Sequence, residues 1–265
     1  MYLRLGWVVG NAGFGGALLI ISLAKLVTVT TGLSMASMVT NIKIGAGGTY
    51  AIISRSMGIE IGGAIGIPLY ISQALGAALY IVGFTEGWIA IFPEHEVIVV
   101  SSSVLLLLLA TSLLSAKVAM KLQYLIMFLI VMSLVSFFMG RSEGTAEITT
   151  WGTFENAPFW VVFAIFFPAV TGIEAGAAMS GDLRDPQRSL KIGILSSIAL
   201  SIVIYIAIAF WMDLRIPTES LKSNYLIMAD YSKWRPVVMA AILGATLSSA
   251  LGSIVGGQRT LMALG

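Results

Sequence analysis

Charged side chains divide this chain into long uncharged runs. Residues 6–24 hold no Lys, Arg, Asp or Glu, and after Lys25 neither do residues 26–42. Further runs cover 61–85, 97–116, 122–140, 157–173, 192–212 and 236–258. A bilayer core takes about 20 apolar residues per helix. The runs therefore predict helices over 14–39, 61–85, 97–116, 122–140, 159–180, 192–212 and 236–257. Gly10-Asn11-Ala12-Gly13 reads as a tight turn and cuts off a first helix over 1–9, too short to span. The pattern predicts one partial helix followed by seven full spans.

Composition agrees with a polytopic all-α membrane protein. Hydrophobic residues make up 58% and charged residues 11%, against roughly 25% charged in soluble domains. Mean hydropathy is +0.95. These values exclude a soluble enzyme domain and a disordered chain. A net charge of +2 leaves no basic footprint for nucleic acid. With no cysteine, disulfides, thiolate catalysis and Cys-based metal sites are excluded. The single histidine, His95, lies between Glu94 and Glu96 in a predicted outer loop and reads as a solvated loop residue. No transition-metal site, cofactor or enzymatic activity is expected. The start, Met1-Tyr2-Leu3-Arg4-Leu5, has neither the cationic region nor the cleavage site of a signal peptide.

Loop charges set the orientation. One set of connections holds Lys43, Arg55, Lys117, Lys121, Arg184, Arg188, Lys191 and Arg259, with the acids Glu60, Asp182 and Asp185. The opposite set is mainly acidic: Glu86, Glu94, Glu96, Glu143, Glu147, Glu155, Asp213, Glu219 and Asp230, with Arg141, Arg215, Lys222, Lys233 and Arg235. The first set is expected to face the cytoplasm. Arg4, Lys25 and Glu174 remain, in or near hydrophobic segments, where ionisable groups are costly and usually functional.

The segment 159–181 is irregular. Pro168 and Thr171-Gly172 fall in its middle. Pro removes an amide and Gly frees the backbone. Two readings stand: a proline kink filled by neighbours, or a helix broken near the midplane. A break would offer carbonyls to a cation and amides to an anion. In the last run, Ala245-Thr246-Leu247-Ser248-Ser249 is either a packing surface whose hydroxyls bond back to the helix, or a set of hard oxygens for a cation such as sodium. Tyr80 fits an interfacial aromatic belt or a ligand. Gly62 and Gly66 suggest close helix packing.

Several blocks resemble the cation–chloride cotransporters. Ala46-Gly47-Gly48-Thr49-Tyr50 and Ile53-Ser54-Arg55-Ser56-Met57-Gly58 resemble the loop between their helices two and three. Phe166-Phe167-Pro168-Ala169-Val170-Thr171-Gly172-Ile173 and Met179-Ser180-Gly181-Asp182-Leu183-Arg184-Asp185-Pro186-Gln187 resemble their sixth helix and the loop after it. Leu247-Ser248-Ser249-Ala250-Leu251-Gly252-Ser253 with Arg259-Thr260-Leu261 resembles their eighth helix, and Arg4-Leu5-Gly6-Trp7-Val8-Val9-Gly10 the outer half of their first. The Gly-Gly-Thr-Tyr block is shared with wider amino-acid permease relatives.

The resemblance implies a LeuT-like inverted-repeat fold of five plus five helices, with helices one and six broken around the substrate. It is incomplete here: residues 1–265 read as a single truncated transport domain, from the outer half of helix one through helix eight. The family's potassium ligands map onto Tyr80, Pro168 and Thr171, and its sodium ligands onto Ala245, Ser248 and Ser249. Its chloride-binding amides map onto Gly172, Ile173 and Glu174. Glu174 departs from the family pattern, which is apolar there. It points away, substitutes for the anion, titrates, or marks kinship with amino-acid permeases. Lys25 and Glu174 are candidate coupling charges, and an ion pair between them is one reading. The resemblance implies symport of potassium and/or sodium with chloride, by alternating access around helices one and six. It places the protein in the plasma membrane, in contact with lipid and inorganic ions, and implies a homodimer of the full-length protein. The alternative is an amino-acid or polyamine permease of the same fold; a non-transporting membrane subunit is the third class.

Overall fold

The computed structural model describes residues 3–41, 48–114, 116–141, 148–155, 157–173 and 185–264. Among these residues every regular element is helical. In chain order they are α1 (Leu5–Asn41), α2 (Gly48–Met57), α3 (Ile59–Ile89), α4 (Val97–Leu114), α5 (Ala116–Phe138) and α6 (Phe159–Phe166). A 3-10 turn over Phe167–Val170 continues α6. Then come α7 (Pro186–Arg215), α8 (Thr218–Ser223), α9 (Ile227–Asp230) and α10 (Arg235–Leu264).

Four described segments are long and apolar enough to cross a bilayer: Leu5–Met38, Ile59–Ile89, Arg188–Arg215 and Arg235–Leu264. Val97–Ser112, Gln123–Phe138 and Phe159–Val170 are shorter apolar helices. The helices overrun the uncharged runs. Thus α7 begins at Pro186 rather than 192, because Pro is favoured at a first helical position and a helix end in water tolerates Arg188 and Lys191. The stretch 48–57, expected as part of a loop, is helical. Its Gly48, Ala51 and Ile52 are buried, and it packs against α3. Gly62 and Gly66 make that approach possible, as their spacing suggested. A Cβ at Gly62 would fall 2.0 Å from the Ser54 hydroxyl, and one at Gly66 2.9 Å from the Tyr50 ring.

The chain folds as two compact units. The first comprises Met1–Gly32, Val131–Thr171 and Leu195–Met239; the second comprises Leu33–Ile130, Gly172–Ile194 and Ala240–Gly265.

In the first unit, α1 is interrupted at Gly13 (φ 67, ψ 175). The second helix does begin at Phe14, but the first runs past Val9 to the break itself. A helix break orphans carbonyls on one side and amides on the other. The segment 148–155 takes up both. Phe14 and Gly15 donate to the carbonyls of Thr149 and Thr150 at 2.8 and 2.9 Å. Gly152 and Phe154 donate to Ala12 and Asn11 at 2.7 and 3.2 Å. The segment is itself anchored where Thr149 N–H donates to the Asp213 carboxylate at 2.9 Å. Nearby, Phe137 packs on Trp211 at 4.4 Å between ring centroids.

In the second unit, Ile81, Phe84, Val100, Val104, Leu108 and Ala250 form a buried apolar cluster. Gln258 Nε2 donates to Ser112 Oγ at 3.1 Å, so a polar bond also ties α10 to α4. His95 is exposed yet ordered by its neighbours: Trp88 Nε1–H donates to its Nδ1 at 2.9 Å, and its ring stacks with Phe92.

Candidate functional site

Helix α6 is apolar throughout, and its geometry tightens where Pro168 enters. Pro168 sits in the first turn of the 3-10 segment. Helical geometry ends at Val170: Thr171 is extended (φ −81, ψ 176), and Gly172 has φ 107. That φ is on the side where only glycine is unstrained. Within the span expected over 159–180, helical geometry is interrupted after Val170, and residues 174–184 lie outside the described ones.

The last carbonyls of such a helix carry its negative dipole end. Here three consecutive carbonyls are met by side-chain hydroxyls. Thr171 Oγ1 donates to Pro168 O at 2.9 Å. Tyr205 OH donates to Ala169 O. Thr28 Oγ1 is shared between Val170 O at 3.3 Å and Ala24 O in its own helix at 3.1 Å. Carbonyls and hydroxyls together make a hard-oxygen cluster of the kind that coordinates alkali-metal cations in water-poor sites.

Lys25 reaches the same cluster. It is 5% exposed, and its Nζ donates to Ser201 Oγ at 2.5 Å. The same ammonium lies 4.9 Å from the centre of the Tyr205 ring. Ser201 in turn donates to Ile198 O at 2.9 Å, and Tyr205 is fixed edge-on against Phe166. Lys25 was expected as a coupling charge, whereas Thr28, Ser201 and Tyr205 were missed as site residues by sequence reasoning. A signal existed: Lys25/Thr28 and Ser201/Tyr205 are spaced by three and four, so each pair shares one helix face.

Pro168 and Thr171 thus share a hydrogen bond, and Lys25 lies over the Tyr205 ring whose hydroxyl holds the Ala169 carbonyl between them. Tyr80 lies in the second unit, packed against the apolar cluster that includes Ala250 and touches Leu247 and Leu251. Ala245, Ser248 and Ser249 are half-buried on α10. Thr246 bonds back to its own helix, at 2.8 Å to Ile242 O. Ser248 does not follow it: its hydroxyl donates to Gln123 Oε1 on α5 at 2.7 Å. Gln123 is a further residue the sequence did not single out. Of the residues expected at an anion, Gly172 is exposed and Ile173 half-buried. Glu174 lies outside the described residues, and so does its pairing with Lys25. Arg4, the third charge not accounted for by the loops, stacks over Tyr225 at 4.2 Å.

A family model described as amino acid permease matches residues 1–265. The chain is 31% identical over an alignment of 326 residues to solute carrier family 12 member 2 of Mus musculus, covering 100% of this chain and 27% of that protein. It is 31% identical over 327 residues to solute carrier family 12 member 1 of Rattus norvegicus, covering 30% of it. Solute carrier family 12 member 2 of Squalus acanthias is likewise 31% identical, with 28% of its length covered. The chain spans under a third of the length of these curated relatives. These matches bear out the resemblance to the cation–chloride cotransporters and their wider permease relatives.

Proposed function

This chain belongs to the amino acid permease family, and we propose that it serves the symport of inorganic cations with chloride across the plasma membrane. The observation that carries this reading is the oxygen cluster at the end of α6. The carbonyls of Pro168, Ala169 and Val170 accept hydrogen bonds from the hydroxyls of Thr171, Tyr205 and Thr28. Neutral oxygens at a negative helix end favour a weakly hydrated monovalent cation over a divalent one, which demands carboxylates. In this reading Pro168 and Thr171 hold potassium, and the resemblance adds Tyr80. Ala245, Ser248 and Ser249 hold sodium on α10. The resemblance assigns chloride to the amides of Gly172, Ile173 and Glu174, at the positive end of a second half-helix. Alternating access follows from movement about the ends of α6 and of the first helix.

Rubidium uptake by cells expressing the intact protein tests it. Saturable uptake that needs external chloride and falls about tenfold or more in T171A is the expected result, since one coordinating hydroxyl is worth about that factor. A Y80F variant with unchanged rubidium affinity would remove Tyr80 alone. Chloride-independent uptake would remove the anion, and uptake of labelled amino acids in place of rubidium would favour the permease alternative.

A further inference from the structure

Lys25 is a buried cation that the proposed ion sites do not use. Its surroundings are specific. Ser201 accepts one ammonium proton, and the face of Tyr205 lies 4.9 Å away. The hydroxyl of that same Tyr205 holds the Ala169 carbonyl, between Pro168 and Thr171 along the chain. Three residues on from Lys25 along α1, Thr28 holds the next carbonyl, Val170. The lysine is therefore connected, through one ring and one helix face, to the oxygens that end α6.

Electrostatics gives this connection a direction. The C-terminal end of a helix carries a partial negative charge, and a cation entering the oxygen cluster is stabilised by it. An ammonium already beside the cluster opposes a second positive charge. A cation over the tyrosine face also draws density from the ring, which makes the phenol a stronger donor to Ala169 O and that carbonyl a weaker ligand.

We propose that Lys25 is a resident cation behind the end of α6, a positioning residue that lowers the affinity of the cluster for a transported monovalent cation. It keeps the site from being filled by cation alone, so that occupancy depends on an anion binding as well. The proposal rests on the transport reading above and deepens it. It differs from a merely structural lysine in the sign it predicts, because removing the charge tightens cation binding.

Concentration dependence of rubidium uptake, measured in cells expressing intact wild-type protein, K25M, K25Q and K25R, is the test. K25M is expected to lower the half-saturating rubidium concentration by about tenfold, the effect of a unit charge across roughly 10 Å at an effective dielectric of about 20. K25Q, which keeps a polar head for Ser201, is expected to shift it the same way and guards against a K25M variant lost to misfolding. K25R keeps the charge and is expected to stay near wild type. Maximal rates, corrected for surface expression, are expected to change less than the half-saturation values. Rubidium half-saturation unchanged or raised in K25M and K25Q would overturn the proposal while leaving the transport reading intact. Wild-type protein with no rubidium uptake would remove that reading and this proposal together.

Discussion

Gly13 and Gly172 are two of the positive-φ glycines at which the described chain leaves helical geometry, and they are finished differently. At Gly13 the orphaned groups meet backbone: Asn11 and Ala12 carbonyls accept from Phe154 and Gly152, while Phe14 and Gly15 donate to Thr149 and Thr150. At Thr171-Gly172 the carbonyls before the turn meet side-chain hydroxyls from Thr171, Tyr205 and Thr28. A second backbone strand of contacts fixes the first turn in one geometry. Hydroxyls can rotate away, so the carbonyls of the second turn can exchange a protein donor for an ion. Space differs as well. A Cβ at Gly13 would lie 2.6 Å from Thr149 O, whereas at Gly172 no described atom comes within 4 Å. Among the described residues, the first turn is locked by backbone and the second is closed by side chains alone.

The largest expected effect breaks the first turn. G13A places an L side chain at positive φ, costing roughly 1–2 kcal/mol, and drives it into a carbonyl, adding roughly 1–3 kcal/mol. G152A meets Asn11 O at 2.2 Å from the other side and is expected to behave alike. Both should lose most folded protein, read as the monodisperse peak in detergent size-exclusion chromatography and as a lowered melting temperature.

G172A sharpens the contrast. It pays the φ penalty alone, roughly 1–2 kcal/mol, with no clash among the described residues. Its melting temperature should fall less than that of G13A, while rubidium uptake falls further than folding accounts for. Equal loss of stability in G172A and G13A would collapse the distinction between the two turns.

Smaller still is Y205F. It removes the hydroxyl from Ala169 O but keeps the ring beneath Lys25. A single hydrogen bond contributes about 1 kcal/mol, so stability should drop slightly. The effect on rubidium half-saturation should exceed the effect on melting.

The uncharged runs made the helices legible, because water excludes long apolar stretches and lipid excludes charge. They clipped the helix ends, since a helix emerging into water carries charge freely, as Arg188 and Lys191 do in α7. They missed α2, because ten residues with Arg55 near the end resemble a loop when span length is the criterion. Pro168 and Gly172 were visible as breakers. The distant hydroxyls that meet the carbonyls between them were not, because Thr28 and Tyr205 lie far from α6 in sequence and only folding brings them near. Lys25 was legible as an anomaly; its partners were not.

The smallest expected effect concerns α10. Serine in a membrane helix ordinarily bonds back to its own backbone, as Thr246 does to Ile242. Ser248 instead gives its proton to Gln123 on α5, which leaves its lone pairs turned away from that bond and aligned by it. In the proposed sodium site the ion would use the Ser248 oxygen, not the proton, so Gln123 would orient that ligand. Q123A should raise the half-saturating sodium concentration about threefold, the price of losing one orienting hydrogen bond of under 1 kcal/mol. Q123E, which keeps the acceptor and adds a negative charge, should lower it. Rubidium half-saturation should move in neither variant, because the Ser248–Gln123 hydrogen bond shares no partner with those that Thr171, Tyr205 and Thr28 make to the carbonyls ending α6. A rubidium shift as large as the sodium shift would mean that the two clusters do not act separately.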